Sequence, residues 1–337
     1  MAEPALSARG IWKVFGASAA AFATCDRTPE AMAARGWVGA VQDASFDVAR
    51  GEVFVIMGLS GSGKSTLLRC LTRLIEPTAG AVLLDGTDLC AADDAALRDI
   101  RRRRMGMVFQ HFALLPNRTV LGNVAWPLEV QGMPRAKAEA RARALIYTVG
   151  LSGREERFPA ELSGGQQQRI GIARSLATDP AFWFLDEPFS ALDPLIRSDL
   201  QDEVLRLQGQ LAKTVVFVTH DLDEAIKLAD RICIMESGRI VQIATPEVLV
   251  TEPATDYVRR FVAKVPPARV VRVASLMDRN APTEGAAPLR DTDTIAAIAP
   301  RLIDGEAALP VVDATGRPVG MLDRARALAV LAGGRPS

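Results

Sequence analysis

The sequence predicts an α/β protein built around a mostly parallel sheet, and three patterns along the chain lead to this fold class. Short apolar segments alternate with helical patterns from residue 41 to about residue 106, and the alternation returns between residues 182 and 235. A helical stretch rich in alanine and polar residues, about 120–177, separates the two regions. Continuous apolar strands alternating with helices favour parallel strands flanked by helices. The middle stretch is therefore interpreted as a helical subdomain inserted between strands of one sheet.

A strand and a short insert precede the first alternating region. Residues 1–16 are interpreted as a strand with an exposed end at residues 11–16, and residues 17–38 form an alanine-rich insert. Within the insert, Thr28 is the predicted N-cap of a short helix, Pro29 occupies its first turn, and Gly36 ends it.

The character of the chain changes near residue 265. Residues 265–267 read Val-Pro-Pro, which is typical of a linker. Beyond them lies a small αβ unit in which residues 309–322 predict a strand, a tight turn and a second strand, and residues 324–331 predict a helix. We therefore divide the chain into residues 1–264 and 265–337.

Composition narrows the possible classes of protein. The 337 residues include 40 Lys plus Arg and 40 Asp plus Glu, so the net charge is zero, whereas a general nucleic-acid binder usually carries a basic excess. The four cysteines form no C-x-x-C pair and only two histidines are present, which disfavours a disulfide scaffold and a structural zinc site. No apolar run reaches about 18 residues and no signal-peptide pattern opens the sequence. We expect a cytoplasmic protein that reaches a membrane only through a partner.

A glycine-rich loop between a strand and a helix carries the clearest chemistry. It follows the strand Val53–Met57, precedes a helix predicted over 65–74, and fits the pattern G-x-x-x-x-G-K-[ST] throughout. Such a loop points successive main-chain N–H groups at phosphate oxygens, and the helix N-terminus adds a positive dipole end. Lys64 is expected to reach the β- and γ-phosphates, and the Ser65 hydroxyl to bind Mg²⁺. This phosphate loop consists of Gly58, Leu59, Ser60, Gly61, Ser62, Gly63, Lys64, Ser65 and Thr66.

Two carboxylates follow a buried strand and complete a predicted nucleotide site. Residues 182–185 are apolar, and Asp186 and Glu187 come directly after them. Parallel α/β sheets place ligands at the carboxyl ends of their strands. Asp186 is predicted to hold Mg²⁺ and Glu187 to polarise the attacking water as a general base. The alternative, two ordinary charges at a strand end, loses most of its weight beside the phosphate loop.

A second glycine-containing loop opens a helix at Leu162-Ser163-Gly164-Gly165-Gln166-Gln167-Gln168-Arg169. The chain therefore has two helix N-termini suited to anions but one complete phosphate loop. In these motifs the chain resembles the ATP-binding subunit of an ABC transporter. The resemblance implies that the signature loop, Ser163, Gly164, Gly165 and Gln166, closes over ATP held by a second subunit.

The resemblance assigns roles to four further residues. Gln110, at the end of the strand 105–110, is expected to contact Mg²⁺ or the attacking water. Asp193 is expected to organise the dimer interface, and His220 to donate to the γ-phosphate. Phe15 occupies the position at which the family stacks an aromatic ring on adenine, although Trp12 is close and either residue could serve packing alone. His111 matches no role in the family.

The same resemblance covers about residues 10–263 and implies the rest of the architecture. It predicts an ABC cassette with a P-loop NTPase core, an antiparallel β part and a helical subdomain at about 111–177. A narrower resemblance, at residues 56–66, 73–78 and 189–197, is to the glycine betaine/proline (quaternary-amine) uptake group. The position of the insert at 17–38, between the adenine-stacking aromatic and the next strand, is also similar to that group. The C-terminal unit resembles one CBS repeat, where the group often has two, and is expected to be regulatory or to contact a dimer partner.

The implied activity is ATP hydrolysis that powers import of a quaternary amine such as glycine betaine or proline betaine. Choline, carnitine or another amine or amino acid is the alternative substrate. The implied partners are a second copy of the chain, membrane permease subunits and, indirectly, an extracytoplasmic solute-binding protein, with the chain peripheral at the cytoplasmic face of the membrane. Residues 112–116 lie where the family docks a permease helix, although internal packing is an equal interpretation. The arginine run 101–104 is interpreted as a solvated helix end, with contact to anionic lipid as the alternative.

Other members of the same superfamily fit the sequence less well. A chromosome or DNA-repair ATPase would need a long coiled coil between Lys64 and Asp186, and the segment between them has no heptads. A translation-type protein would carry two cassettes in one chain, and an exporter fused to its membrane domain would contain membrane spans.

Overall fold

The computed structural model describes residues 3–110, 112–190, 192–279, 287–304 and 309–334. The chain forms two compact units, Met1–Ile240 and Val241–Ser337. Within the described residues no helix has the length and apolar character that crossing a membrane requires.

The first unit contains two sheets and nine helices among its described residues. Its strands are β1 Leu6–Phe15, β2 Val38–Val48, β3 Val53–Met57, β4 Ala79–Leu84, β5 Thr87–Asp88, β6 Met105–Val108, β7 Phe182–Asp186, β8 Thr214–Thr219, β9 Arg231–Glu236 and β10 Arg239–Ala244, which ends in the second unit. Its helices are α1 Ala19–Ala23, α2 Pro29–Ala33, α3 Lys64–Leu71, α4 Asp94–Arg104, α5 Val120–Val130, α6 Arg135–Thr148, α7 Gly164–Leu176, α8 Pro194–Leu211 and α9 Leu222–Leu228.

The larger sheet aligns the ends of the strands that carry the predicted site. Its order is β10-β9-β3-β8-β7-β6, and the pairs from β9 to β6 are parallel. Every residue of β3, β7 and β8 is buried, as the continuous apolar segments predict for parallel strands covered on both faces. Met57 lies opposite Thr219, and Asp186 lies opposite Val218. The carboxyl ends of β3, β8 and β7 therefore meet at one edge of the sheet.

The predicted insertion of a helical segment into this sheet is confirmed. Helices α5, α6 and α7 all lie between β6 and β7, which are hydrogen-bonded parallel neighbours. The Thr119 hydroxyl caps α5 by accepting from the Gly122 N–H at 3.2 Å. The side chain of Asn123 is fully buried and bonds the main chain of the preceding loop, including both the N–H and the carbonyl of Leu115. These contacts fix the segment that enters the helical subdomain.

The smaller sheet is antiparallel, with the order β2-β1-β4-β5, and it carries the insert between β1 and β2. Thr28 caps α2 and Pro29 opens it, as predicted. Phe22 and Met32 from the insert are buried in one cluster with Trp12 and Val14 of β1. Phe22 and Met32 of the insert are therefore packed into the core beside Trp12.

Helix α3 is shorter than predicted, since it ends at Leu71 and not at residue 74. Arg73 adopts a left-handed backbone with φ 54°, which stops the helix. The guanidinium of Arg101 donates to the carbonyl of Thr72 at 3.0 Å and to that of Arg73. A side chain distant in sequence thus satisfies carbonyls that the end of the helix leaves unpaired.

The arginine run on α4 is only partly a solvated helix end. Arg102 and Arg103 are exposed, in agreement with that interpretation. For the two other arginines it is wrong, because Arg101 binds the end of α3 and Arg104 forms an ion pair with Asp85. Both side chains serve contacts within the fold.

The second unit is a small αβ arrangement. Its elements are α10 Pro246–Thr251, α11 Asp256–Val262, β11 Met277–Asp278, β12 Leu289–Arg290, α12 Ala299–Ile303, β13 Pro310–Val312, β14 Pro318–Leu322 and α13 Arg324–Leu331. The predicted strand, turn, strand and helix after residue 309 are confirmed. The Asp313 carboxylate accepts from the N–H groups of Thr315 at 2.8 Å and Arg317 at 3.0 Å, which closes the turn. Helices α10 and α11 lie in this unit, while the functional boundary at residue 264 stays a prediction.

Candidate active site

The phosphate loop connects β3 to α3 and depends on glycine where the main chain is most crowded. Gly63 is left-handed, with φ 97°, and a Cβ there would lie 2.1 Å from the carbonyl oxygen of Ala40. At Gly58 a Cβ would lie 2.3 Å from the carbonyl oxygen of Met235. Neither position can accept a side chain without displacing main chain. The close packing holds the loop against neighbouring main chain.

Lys64 begins α3 and its side chain is buried, with an exposed fraction of 5%. Its ammonium group donates to the carbonyl oxygen of Leu59 at 3.0 Å, across the loop. Burial lowers the pKa of Lys64, while the nearby carboxylates of Glu187 and Asp186 act in the opposite direction. The ammonium group is therefore held in the loop near two carboxylates. A bound phosphate chain would replace the neutral carbonyl of Leu59 with charged oxygens as hydrogen-bond acceptors.

Glu187 and His220 meet at the ends of adjacent strands. The Oε2 atom of Glu187 lies 3.1 Å from Nδ1 of His220. Glu187 is left-handed, with φ 46°, and its N–H donates to the carbonyl of Val218 at 3.0 Å. A left-handed residue other than glycine carries backbone strain, which the surrounding structure must hold in place. The strained turn directs the Glu187 carboxylate away from the strand and toward the histidine.

Asp186 is almost fully buried and is held by an arginine that the sequence analysis missed. Its Oδ2 atom accepts from the guanidinium of Arg69 at 3.3 Å, while Oδ1 has no hydrogen-bond partner among the described residues. Arg69 lies four residues after Ser65, on the same face of α3, so helical spacing could have identified it. An unpaired buried carboxylate oxygen suits Mg²⁺, which prefers oxygen ligands and takes few from protein.

The phosphate loop, Glu187 and His220 line one cleft of about 640 Å³, whereas the buried Asp186 is absent from its lining. It brings together most of the predicted ATP-binding residues and the predicted Gln110, Glu187 and His220. Its lining consists of Ala40, Leu59, Ser60, Gly61, Gly63, Lys64, Ser65, Thr66, Gln110, Glu187 and His220. Ala40 was not predicted, because a small residue in a hairpin gives no signal in the sequence. His111, beside Gln110, lies outside the described residues.

Phe15 is absent from the lining of the cleft but lies on the hairpin that contributes Ala40. It ends β1, pairs with Val38 of β2, and has an exposed fraction of 44%. The Lys13 ammonium lies 5.2 Å from the centroid of its ring. The adenine-stacking role of Phe15 stays a prediction.

The signature loop does not line the cleft of its own chain, and its first two residues are exposed. Ser163 caps α7 by accepting from the Gln166 N–H at 3.4 Å, and the Gln166 side chain accepts from the Ser163 N–H at 3.1 Å. Gly165 is buried, and a Cβ there would lie 2.6 Å from the side chain of Ile196. Asp193 is exposed at the start of α8 and makes no side-chain capping bond. Ser163, Gly164 and Asp193 are thus open to a partner.

Comparisons with known proteins follow the same motifs. The family model described as ABC transporter matches residues 41–190, which span the phosphate loop, the signature loop and the strand that bears Asp186. The trimethylamine N-oxide transport system ATP-binding protein TmoW of Ruegeria pomeroyi is 50% identical over 335 residues, 98% of each chain. The chain belongs to the ABC transporter family. It is an ATP-binding subunit of that family, with ATPase activity.

Other relatives of this ABC transporter subunit match a smaller part of it. The glycine betaine transport ATP-binding protein OpuAA of Bacillus subtilis is 49% identical over 250 residues, which are 74% of this chain and 60% of OpuAA. The dimeric cassette MJ0796, solved in a post-hydrolysis state with ADP and phosphate, is 32% identical, with a TM-score of 0.62. That match covers 72% of this chain and 98% of the solved one.

The ABC transporter subunit also contains an arginine that joins two of its site loops. Arg197, in the first turn of α8, donates to the carbonyl of Leu192 at 3.3 Å, next to Asp193. Its Nη1 atom lies 3.2 Å from the carboxylate of Asp221, next to His220. From the sequence, Arg197 is recognisable only as a cation in a helix, because its partners come from separate loops.

The other side of the histidine is anchored by a buried acid. The Thr219 hydroxyl donates to the carboxylate of Glu224 at 2.6 Å. Burial raises the pKa of Glu224, whose exposed fraction is 5%. His220 therefore lies between Thr219 and Asp221, two residues that side-chain contacts hold in place. These contacts restrain the main chain at His220.

Proposed function

We propose that this chain hydrolyses ATP to power the import of a small N-methylated amine, with trimethylamine N-oxide or glycine betaine as the substrate. The observation that carries the proposal is the match to TmoW, which extends over 98% of both chains and includes the C-terminal unit. The match to the glycine betaine protein OpuAA has a similar identity but covers 74% of this chain. Trimethylamine N-oxide is therefore our first candidate, and glycine betaine, proline betaine, choline and carnitine follow.

The residues of the cleft have distinct roles in the proposed hydrolysis. Main-chain N–H groups of the phosphate loop and the Lys64 ammonium bind the β- and γ-phosphates. Glu187 takes a proton from water as the water oxygen bonds to the γ-phosphorus and the bond to the ADP oxygen breaks. His220 donates to the γ-phosphate oxygens, whose charge grows in the transition state. Ser65, Asp186 and Gln110 would hold Mg²⁺, which neutralises phosphate charge when bound.

Two copies of the chain form the proposed working unit. Ser163 and Gly164 are exposed and lie outside the cleft of their own chain, whereas the cleft itself is open. A twofold axis would place each signature loop over the ATP of the other chain, with Asp193 near the axis. The similar solved cassette is dimeric, which supports this arrangement.

A permease is the proposed second partner, at a groove beside Gln110. The groove has a volume of about 350 Å³, and its apolar lining includes Phe109, Ala113, Leu115 and Trp126. Trp126 has an exposed fraction of 39%, which is high for a tryptophan. A cytoplasmic helix of the permease would cover these side chains and hold the chain at the cytoplasmic face of the membrane. An extracytoplasmic solute-binding protein would deliver the amine to the permease.

Transport itself is testable in the source organism. Deleting the gene should reduce ATP-dependent accumulation of labelled trimethylamine N-oxide or glycine betaine to background, and the wild-type gene should restore it. Complementation with Glu187→Gln should fail, because the permease then lacks its energy source. Competition by unlabelled choline and carnitine ranks the alternative amines. Proline betaine, choline and carnitine are then supplied in labelled form as well. Unchanged uptake of all five amines, with loss of an unrelated solute, would reject the proposed substrate class.

The C-terminal unit is proposed to act as a single CBS-like regulatory or dimer-contact unit. Helices α12 and α13 pack together, and each exposes a large aliphatic side chain, Ile303 and Leu328. The predicted catalytic residues all precede residue 221. Contact with a second copy would cover the exposed aliphatic side chains.

Truncation tests both the role and the proposed boundary. Removing residues 268–337 should leave basal ATP hydrolysis within about twofold of that of the full chain, since a separate domain folds by itself. The response of the assembled transporter to ionic strength or adenine nucleotides should change. A truncated protein without basal ATPase activity would mean that the boundary at 264 is wrong. Residues 241–337, which form one compact unit, would then also act as one.

A further inference from the structure

Two consecutive residues after Gln110 adopt a backbone conformation that side chains disfavour. Phe112 has φ 57° and Ala113 has φ 48°, and neither is glycine. In the left-handed region the Cβ atom approaches the following carbonyl oxygen too closely. Such residues persist when surrounding contacts hold them. Two in succession require a strong local restraint.

The restraint comes from Arg174, near the end of α7. Its Nη1 atom donates to the carbonyl of Ala113 at 2.7 Å, and Nη2 donates to the carbonyl of Phe112 at 2.9 Å. The planar guanidinium thus bonds both strained residues at once. No carboxylate of the described residues forms an ion pair with Arg174, and burial lowers its pKa. The main-chain carbonyls are its principal partners within the described part of the chain.

Helix α7 meets the same segment at two further points. A Cβ at Gly171 would lie 3.8 Å from the carbonyl oxygen of Phe112. A Cβ at Gly164, in the signature loop, would lie 4.0 Å from the ring of Phe112. The helix that begins with the signature loop therefore follows the segment along its length, and Arg174 bonds it at the far end.

We propose that Arg174 is a positioning residue that clamps the left-handed Phe112–Ala113 segment to α7. The clamp sets where Gln110 enters the nucleotide cleft and where the Phe112 ring lies against Gly164. Arg174 itself also borders the groove proposed for the permease. The inference rests on the proposed roles of Gln110 and the signature loop, and it adds the residue that keeps the two in register.

A double-mutant cycle with glycine tests the clamp. Arg174→Met should lower kcat for ATP hydrolysis on the order of tenfold, because the strained backbone then relaxes. The KM for ATP should change less than about twofold, since the phosphate loop is untouched. Glycine adopts left-handed φ freely, so Ala113→Gly should restore most of the loss in the Arg174→Met protein. The Ala113→Gly protein supplies the remaining corner of the cycle. Because Ala113 also lines the groove proposed for the permease, all four proteins are assayed without permease.

Two further variants make the result specific. Arg174→Lys keeps the charge but loses the planar pair of donors, so its kcat should be intermediate, and it replaces Arg174→Met if that protein does not fold. Arg206→Met is the matched control, because Arg206 also donates to a main-chain carbonyl, that of Thr148 at 3.2 Å, but lines neither the cleft nor the groove. Its kcat should be unchanged.

Three outcomes would overturn the clamp. The first is an unchanged kcat in Arg174→Met. The second, if Arg174→Met does not fold, is an unchanged kcat in Arg174→Lys. The third is a loss of kcat in the Arg174 variant that Ala113→Gly does not relieve. Failure of the proposed catalytic site is seen separately, because full ATPase activity in Glu187→Gln would reject that site whatever the result at Arg174.

Discussion

Glu187→Gln is expected to lower ATP hydrolysis by about 100- to 10,000-fold, the range that a positioned general base contributes. The amide keeps the size of the side chain and its approach to His220, which lies 3.1 Å away, but it cannot accept the proton of water. The Kd for ATP should stay within about twofold, because the phosphate loop and Lys64 are unchanged. The ATP-bound dimer should then accumulate, since hydrolysis no longer opens it.

Two measurements check this expectation. Steady-state phosphate release gives kcat, and size-exclusion chromatography with ATP gives the fraction of dimer in wild-type and variant protein. Glu236→Gln is the matched control, since Glu236 is an exposed carboxylate at the end of β9 in the same sheet and does not line the cleft. Its kcat should equal that of the wild type. Wild-type turnover in Glu187→Gln would mean that another group activates the water.

Local patterns were enough to predict the elements that carry the site. The apolar residues before Asp186 determine a buried strand, and such a strand ends where parallel sheets collect ligands. The N-cap Thr28 is likewise predictable, because a cap involves residues only three positions apart. These predictions succeeded where the deciding contact is near in sequence.

The contacts that position the site were not predictable in the same way. Arg174 bonds carbonyls about 60 residues earlier. Arg197 joins Leu192 to Asp221, and Arg101 ends α3 from another helix. In each case an arginine on a helix gives the same local pattern as a solvated one. Its partner, a main-chain carbonyl or a distant carboxylate, becomes identifiable only when the fold brings the two together.

Mixing two inactive chains is expected to restore activity if the signature loop acts on the ATP of a partner. Lys64→Ala should weaken ATP binding by about 10- to 100-fold, because it removes a charged donor to phosphate. Ser163→Arg should block closure at the exposed start of α7. Each variant alone forms dimers in which both sites are damaged, so each should be nearly inactive.

Random mixing makes half of the dimers heterodimers, and each of these has one intact site and one site with both lesions. If one site can turn over alone, the mixture should reach about one quarter of the wild-type activity per chain. Thr119→Arg, which removes the N-cap of α5, controls for the loss of a helix cap at Ser163. It should leave hydrolysis measurable and lower the Tm by a similar amount. Where one site turns over alone, a mixture as inactive as its components would indicate that Ser163 serves the ATP of its own chain, since every site would then keep one lesion.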